Sequence, residues 1–278
     1  MAASSQASGF SPGSADRVLL ADGRRQFVKA IDRDVNAVGH ALHAREAEIM
    51  RMLPPATPAP RLSAAVEDGG WIALLLEDVE GAHPRSEDLH RVLGALVDLP
   101  EPSAQLAGDL PRTSSELVAE QGGWDRLIDA DALEGIDAWT RAHLDELQGA
   151  SARLSAAVDG AQIVHLDLRT DNVLIDGAGG VWIVDWPWTT IGAGWLDGVT
   201  YLLDVLMHRH DVDVDGVVRS HPLFADVAPD DIDAVLAGLA GAFLDKARQP
   251  APPGMPTIRS FQAREARAAL AWLARRWS

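Results

Sequence analysis

The stretch 163–188 constrains the fold of this chain more than any other part of the sequence. After an apolar start it turns polar from Asp167 to Asn172, and two short apolar segments follow. Residues 176–180, between those segments, suit a chain reversal because their Asp-Gly and Gly-Gly pairs tolerate positive φ. The second segment ends in Asp185, so the predicted hairpin brings Asp167, Asn172 and Asp185 to one edge.

These three residue types suit phosphoryl transfer. The reaction needs an acceptor for the proton of a substrate hydroxyl, and oxygen ligands for the Mg²⁺ that accompanies nucleotide phosphates. Chance spacing is the alternative explanation, and the hairpin that delivers Asp185 counts against it.

The order His165-Leu-Asp-Leu-Arg-Thr-Asp-Asn, followed later by Val-Asp-Trp-Pro, resembles the aminoglycoside phosphotransferase and choline kinase-like family of the protein-kinase-like superfamily. That family usually has glycine where this chain has Leu166. The resemblance implies an α+β, two-lobed protein-kinase-like fold, with a five-stranded N-terminal antiparallel sheet plus one helix and a mainly helical C-terminal lobe.

The resemblance also implies roles for the polar residues of this stretch. Asp167 would accept the hydroxyl proton, while Asn172 and Asp185 would bind Mg²⁺. Arg169 would neutralise phosphate charge or pair with an acid. His165 would support the loop through hydrogen bonds.

Asp197 is predicted to cap the next helix and to brace the same loop, rather than to bind a metal. Two tryptophans near it, Trp188 and Trp195, are candidates to contact the phosphate acceptor.

Lys29 is notable because the chain contains 22 arginines and only two lysines. A lysine on a strand of a chain that otherwise uses arginine indicates a need for a compact ammonium group. The resemblance implies that Lys29 contacts the α- and β-phosphates of the nucleotide. On the helix predicted over 35–53, Glu46 falls within the apolar stripe and Glu48 falls opposite it. A carboxylate in that stripe needs a partner, so we expect Lys29 to pair with Glu46. An edge-strand lysine is the alternative.

Two further segments are assigned to the nucleotide. The polar turn 9–14 resembles the loop that covers the phosphates, with Ser11 and Ser14 as its candidate contacts. An apolar strand then runs into acidic residues, where the resemblance implies that the Glu77 carbonyl and the Val79 N–H hold adenine. Leu76 would line the pocket behind them.

The predicted domains are a nucleotide-binding lobe over 1–80, a hinge over 81–85 and a helical lobe over 86–278 that carries the catalytic loop and acceptor site. Within the helical lobe, we expect a linker over 100–111 and helices over 114–128 and 137–158.

The net charge of −17 argues against binding nucleic acid, and from the sequence we expect neither a secretory signal nor a membrane-spanning segment. Residues 82–278 carry 30 acidic and 16 basic side chains, a net charge of −14, against 11 and 8, a net charge of −3, for residues 1–81, and this excess favours a cationic acceptor. Acids spread over the surface for solubility are the alternative.

The sequence therefore predicts a cytoplasmic, ATP- and Mg²⁺-dependent phosphotransferase that acts on a small-molecule hydroxyl, with an aminoglycoside-type antibiotic, and hence antibiotic resistance, as one possibility. A metabolite kinase for an amino alcohol or sugar, and a nucleotide-binding pseudokinase, are the alternatives. The sequence does not choose between ATP and GTP.

Overall fold

The structure, a computed structural model, describes residues 2–5, 13–209 and 212–278. Ser11 lies outside the described residues. Ten strands lie within them: β1 (Ala2–Ser5), β2 (Ser14–Leu19), β3 (Arg25–Asp32), β4 (Leu62–Asp68), β5 (Trp71–Glu77), β6 (Gly81–Ala82), β7 (Gln162–Val164), β8 (Val173–Asp176), β9 (Val181–Ile183) and β10 (Thr190–Gly192).

The same described ranges contain thirteen α-helices. These are α1 (Ala37–Met52), α2 (Leu89–Val97), α3 (Ala104–Asp109), α4 (Thr113–Glu116), α5 (Val118–Gln121), α6 (Gly123–Asp129), α7 (Ala138–Ala142), α8 (Leu144–Ser151), α9 (Leu154–Ala157), α10 (Leu196–His208), α11 (Val214–Ser220), α12 (Pro229–Ala247) and α13 (Ile258–Arg276). None of them is both long enough and apolar enough to cross a bilayer.

The chain forms two compact units. The first comprises Met1–Asp109 and Asp167–Thr189, and the second comprises Leu110–Leu166 and Thr190–Ser278. These bounds differ from the lobes predicted over 1–80 and 86–278, because residues 167–189 join the first unit, where β8 pairs with β6 and Asp185 contacts Lys29. The predicted lobe boundaries stay a prediction.

The first unit is built on a five-stranded antiparallel sheet in the order β1-β2-β3-β5-β4. Along β5, Ile72, Leu74 and Leu76 are buried in alternation, as expected for a strand with one face on a core. Helix α1 covers that face, with Ala47 in the same cluster. It begins where the Asn36 side chain accepts a hydrogen bond from the Gly39 N–H.

A second, three-stranded sheet in this unit has the order β6-β8-β9. It contains the predicted hairpin, and the strand β6 pairs with β8 through Gly81 and Ala82. The Val184 N–H donates to the Asn172 carbonyl at 2.9 Å, which joins the catalytic loop to the segment that carries Asp185.

The second unit is organised around α12, whose small residues allow its neighbours to approach closely. A Cβ atom on Gly123 of α6 would lie 2.3 Å from the Ala242 backbone nitrogen, so this contact requires glycine. Beside it, the buried Trp124 donates its indole N–H to the Ala237 carbonyl at 2.9 Å.

Three predictions for the helical region are wrong in detail. The predicted linker 100–111 contains α3, whose Leu106 is fully buried. The helix predicted over 114–128 is divided into α4, α5 and α6, and the one over 137–158 into α7, α8 and α9. Asp137 does cap α7, because its side chain accepts a hydrogen bond from the Thr140 N–H at 2.9 Å.

Candidate active site

Lys29 lies on the core-facing side of β3, opposite Leu74 of β5. Its ammonium nitrogen is 2.8 and 2.9 Å from the two Glu46 carboxylate oxygens and 2.7 Å from Asp185 Oδ1. Burial alone would lower the pKa of Lys29, but the carboxylates of Glu46 and Asp185 raise it above its usual value. Lys29 is therefore a permanent positive charge at neutral pH.

Glu46 reaches Lys29 because of its phase on α1. Its side chain is 2% exposed, whereas Glu48, two residues later, is on the solvent side. The Trp186 N–H also donates to Glu46 Oε1, at 3.3 Å, so this carboxylate joins α1 to the residue after Asp185. His43, one turn earlier on the buried face, has its pKa lowered, first by burial and then by the charge of Lys29.

Asp185 adopts a left-handed backbone conformation, with φ of 69°. Aspartate tolerates this region better than most residues, and the conformation turns the chain immediately after β9. Its side chain is 45% exposed, so one charged group of the Lys29 cluster remains accessible to a ligand.

The polar loop 165–172, which the sequence analysis predicted to be catalytic, ends in a 3₁₀ turn, Thr170–Asn172. Asp167 Oδ1 accepts a hydrogen bond from Arg169 Nη1 at 3.0 Å, and Arg169 also donates to both carboxylate oxygens of Asp171, at 3.0 and 3.1 Å. Burial raises the pKa of Asp167 to about 6, while the Arg169 guanidinium opposes that rise. The Asp167 carboxyl is thus ionised at neutral pH but is more basic than an ordinary aspartate.

Asn172 and Asp185 supply oxygen atoms that suit Mg²⁺. The Asn172 amide nitrogen donates to the Asp167 carbonyl at 2.8 Å, which leaves the amide oxygen for a cation. Within the described residues there is no group of three or more His, Cys, Asp or Glu side chains that could hold a metal. Two protein oxygens are nonetheless sufficient, because Mg²⁺ in such sites takes further oxygens from nucleotide phosphates and water.

A cavity of about 260 Å³ lies in the first unit beside these groups. Seven of its lining residues are ones that the sequence analysis assigned to the nucleotide or the metal: Lys29, Glu46, Leu76, Glu77, Val79, Asn172 and Asp185. Of the other assigned residues in this unit, Ser14, Asp167, Arg169 and Trp188 are not among the described residues that line it. Ser14 is exposed at the start of β2, and Trp188 is 39% exposed.

The sequence analysis missed the arginines that hold the segment after β5. Asp78, whose side chain is 1% exposed, pairs with Arg17 at 3.4 Å and with Arg25 at 2.8 Å. Arg17 also donates to the Val79 carbonyl at 3.1 Å. These contacts join residues more than 50 positions apart, and the sequence contains no local signal for them. Phe27 and His83 also line the cavity and were not predicted.

The second unit positions the two residues that precede Asp167 in the chain. The carboxylate of Asp197, fully buried, accepts the His165 N–H at 2.6 Å and the Leu166 N–H at 2.9 Å. Leu166 has φ of 68°, the left-handed region that favours glycine. These two hydrogen bonds are the contacts through which Asp197 can brace the loop, as the sequence analysis expected. The prediction that Asp197 is an N-cap is wrong, because Trp195 is the N-cap of α10 and Asp197 lies in the first turn. Trp195 itself is half-buried.

The sequence model of the phosphotransferase enzyme family matches residues 7–214 of this chain. No curated protein matches the chain in sequence. Solved structures do resemble it.

A thermostable mutant of aminoglycoside phosphotransferase APH(4)-Ia, in its apo form, is 14% identical, with a TM-score of 0.61 over 98% of this chain and 95% of that one. Choline kinase LicA from Streptococcus pneumoniae is 12% identical, with a TM-score of 0.59 over 98% and 94%. Amicoumacin kinase hAmiN, in complex with AMP-PNP, Ca²⁺ and Ami, is 13% identical, with a TM-score of 0.53 over 95% and 88%.

At these identities the structural matches show the fold alone, and they confirm the predicted two-lobed, protein-kinase-like fold class. The family match covers well over half of the chain and carries the assignment of activity. This protein is a member of the phosphotransferase enzyme family and a small-molecule kinase.

Proposed function

We propose that the protein uses ATP and Mg²⁺ to phosphorylate a hydroxyl group of a small molecule in the cytoplasm, and that an aminoglycoside-type antibiotic is its acceptor. The observation that supports nucleotide binding is the contact of the Lys29 ammonium group with the carboxylates of Glu46 and Asp185, all three of which line the 260 Å³ cavity. A Lys–Glu pair beside an accessible aspartate is the arrangement that kinases use to grip nucleotide phosphates.

Each charged group then has a role in the proposal. Lys29 binds the α- and β-phosphates, and Glu46 keeps it in place. Asn172 and Asp185 hold Mg²⁺, which neutralises charge on the phosphates when it is bound. The backbone of Glu77 and Val79, held by Arg17 and Arg25, contacts the base.

Asp167 accepts the proton of the acceptor hydroxyl. As the hydroxyl oxygen forms its bond to the γ-phosphorus, the bond between that phosphorus and the β-bridging oxygen breaks, and ADP leaves. The raised pKa of Asp167 makes its carboxylate a better base than an ordinary aspartate, and Arg169 keeps it ionised and oriented.

The acceptor class rests on charge. Residues 82–278 contain 30 acidic and 16 basic side chains, so their field attracts a polycation. In that case the KM for the acceptor rises steeply with salt, whereas an apolar acceptor that binds a tryptophan such as Trp188 or Trp195 shows almost no salt dependence.

The decisive experiment is an ADP-release assay with ATP and Mg²⁺ across aminoglycosides, macrolides, amino alcohols and sugars. We expect acceptor-dependent turnover with an aminoglycoside. Asp167→Asn should lower kcat by about 10²–10⁴-fold, because it removes the proton acceptor, while AMP-PNP binds with unchanged affinity.

The controls separate the proposal from its rivals. Turnover with an amino alcohol or sugar but no aminoglycoside would identify a metabolite kinase. AMP-PNP binding without turnover on any acceptor would identify a pseudokinase. Asp167→Asn activity within a few-fold of the unaltered protein would show that Asp167 is not the base.

A further inference from the structure

Helix α13 has a charge opposite to that of the rest of the chain. Its 19 residues include five arginines and one glutamate, in a protein whose net charge is −17. Such a concentration of positive charge on one helix of an acidic protein marks a surface where an anion is favoured locally.

Several of these arginines meet in a groove between α10 and α13. The groove has a volume of about 360 Å³, which lies in the range of small-molecule sites. Its lining consists of three arginines and four apolar side chains: Arg264, Arg267, Arg275, Leu206, Met207, Ala268 and Ala271. No acidic residue is among the described residues that line it, although the chain has 41 acids and 24 bases.

The groove arginines differ from the other arginines of α13. Arg276 donates to Asp233 and to the Pro229 carbonyl, and Arg259 donates to the Pro250 carbonyl. Arg264 and Arg267, by contrast, make no hydrogen bond or ion pair within the part of the chain that the structure describes.

Among the described residues, the Arg275 side chain makes only one long contact. Its Nε is 3.9 Å from Asp215, and that carboxylate already accepts a hydrogen bond from the Trp272 indole at 2.9 Å. Three neighbouring guanidinium groups are therefore poorly neutralised by the protein itself.

The positions of these residues along α13 define the shape of the ligand. Arg264 and Arg267 are one helical turn apart, so their head groups can reach the same anion. Arg275 is eight residues beyond Arg267, or about 12 Å along the axis. Ala268 and Ala271 lie between them and, with Leu206 of α10, form an apolar floor.

We propose that this groove is a second ligand site, which binds a small organic phosphate. The phosphate lies against Arg264 and Arg267, and its apolar body lies over Ala268, Ala271 and Leu206. Guanidinium groups match the oxygens of phosphate, and two of them favour a dianionic phosphate over a singly charged carboxylate.

The net charge of the protein selects a small anion rather than nucleic acid. A bound polymer would extend beyond the groove and over acidic surface, where it is repelled. A small phosphate remains within the field of Arg264 and Arg267, because ions screen longer-range charges, those of the acidic surface included, over about 10 Å.

Isothermal titration of the full chain with phenyl phosphate tests the proposal. Saturating AMP-PNP and Mg²⁺ are present throughout, so that phosphate sites at the nucleotide pocket are occupied. We expect phenyl phosphate to bind, and the double variant Arg264→Ala/Arg267→Ala to weaken binding by at least about tenfold, because two charged hydrogen bonds are lost.

The matched control is Arg33→Ala/Arg51→Ala, which removes the same charge from two exposed arginines of the first unit. This control should bind phenyl phosphate as the unaltered protein does. Inorganic phosphate and benzoate separate the two parts of the ligand, and each should bind at least about tenfold more weakly than phenyl phosphate.

Equal binding of phenyl phosphate by the groove variant and the control variant would overturn the proposal. Benzoate binding as tight as that of phenyl phosphate would overturn the phosphate assignment. Because AMP-PNP binding and turnover are measured separately, failure at the groove leaves the proposed kinase function intact.

Discussion

Each compact unit contains a cluster of charged side chains, and the two clusters differ in what they leave exposed. In the first unit Lys29 is 14% exposed and Glu46 2%, but Asp185 is 45% exposed and lines the cavity. That cluster is well paired internally and still presents a carboxylate to a ligand.

In the second unit, Arg276 is 12% exposed and its partners Asp233 and Asp215 are 14% and 22% exposed. The indole N–H groups of Trp277 and Trp272 donate to these two acids, at 2.8 and 2.9 Å. The two indole groups thus occupy carboxylate oxygens of the kind that, in the first cluster, remain accessible to a ligand. The comparison shows that similar ionic groups leave a carboxylate accessible in one unit and are closed off by tryptophan in the other.

Among substitutions within the two clusters, Lys29→Ala should have the largest effect. Loss of a charged phosphate contact should lower kcat/KM by roughly 10–150-fold, and the buried Glu46 left without its partner should cost roughly 1–3 kcal/mol of stability. Steady-state kinetics and chemical denaturation measure both. Lys246→Ala, at the only other lysine, also removes a lysine–glutamate pair and is the matched control for the kinetics, so it should leave kcat/KM unchanged. Similar losses of kcat/KM in the two variants would contradict the proposal that the Lys29 cluster binds the nucleotide.

The change of kcat/KM with pH should be nearly as large as the effect of Lys29→Ala. Because burial raises the pKa of Asp167 to about 6, kcat/KM should fall about tenfold per pH unit below that value as the base becomes protonated. Arg169→Ala should move the midpoint upward, since the guanidinium opposes the rise. A flat profile between pH 5 and 8, measured with a confirmed acceptor, would argue against Asp167 as the base.

Arg276→Ala should affect stability and leave nucleotide binding unchanged. Removing the guanidinium leaves Asp233 and Asp215 less well paired, and we expect a loss of about 1–2 kcal/mol in the free energy of unfolding. Arg275→Ala, with its contact of 3.9 Å and 49% exposure, should cost less. A loss of AMP-PNP affinity in the Arg276 variant would contradict the view that this cluster contributes to stability alone.

The smallest effect should come from Glu48→Ala. Glu48 is exposed on α1, so its removal should change stability by less than about 0.5 kcal/mol. Glu46→Ala should lower both stability and turnover, because Lys29 loses the contacts at 2.8 and 2.9 Å. Equal damage from the two variants, measured side by side, would contradict the helical phase that separates them.

The parts of the fold and site that follow from local sequence could be predicted. The hairpin after Asn172 follows from its glycines, and the choice of Glu46 over Glu48 follows from helical periodicity. The positions of Arg17 and Arg25 beside Asp78 could not be predicted, because such pairings depend on how strands align across the sheet.

The helical region was harder for a related reason. Its short helices change direction at positions such as Leu117 and Gly122, where packing against α12 decides the path rather than helix propensity. Pro100 and Pro111 suggested a linker, yet the residues between them bury Leu106 in a turn of helix.

The left-handed turn at Leu166 bears on how proteins of this kind are found and altered. Since the Asp197 carboxylate holds the backbone there, the conformation does not require the glycine that the family usually has at the position before Asp167. A search pattern that demands glycine would pass over this chain. The same tolerance makes position 166 a place to install a library of side chains and select for new acceptors, with Asp197 left untouched.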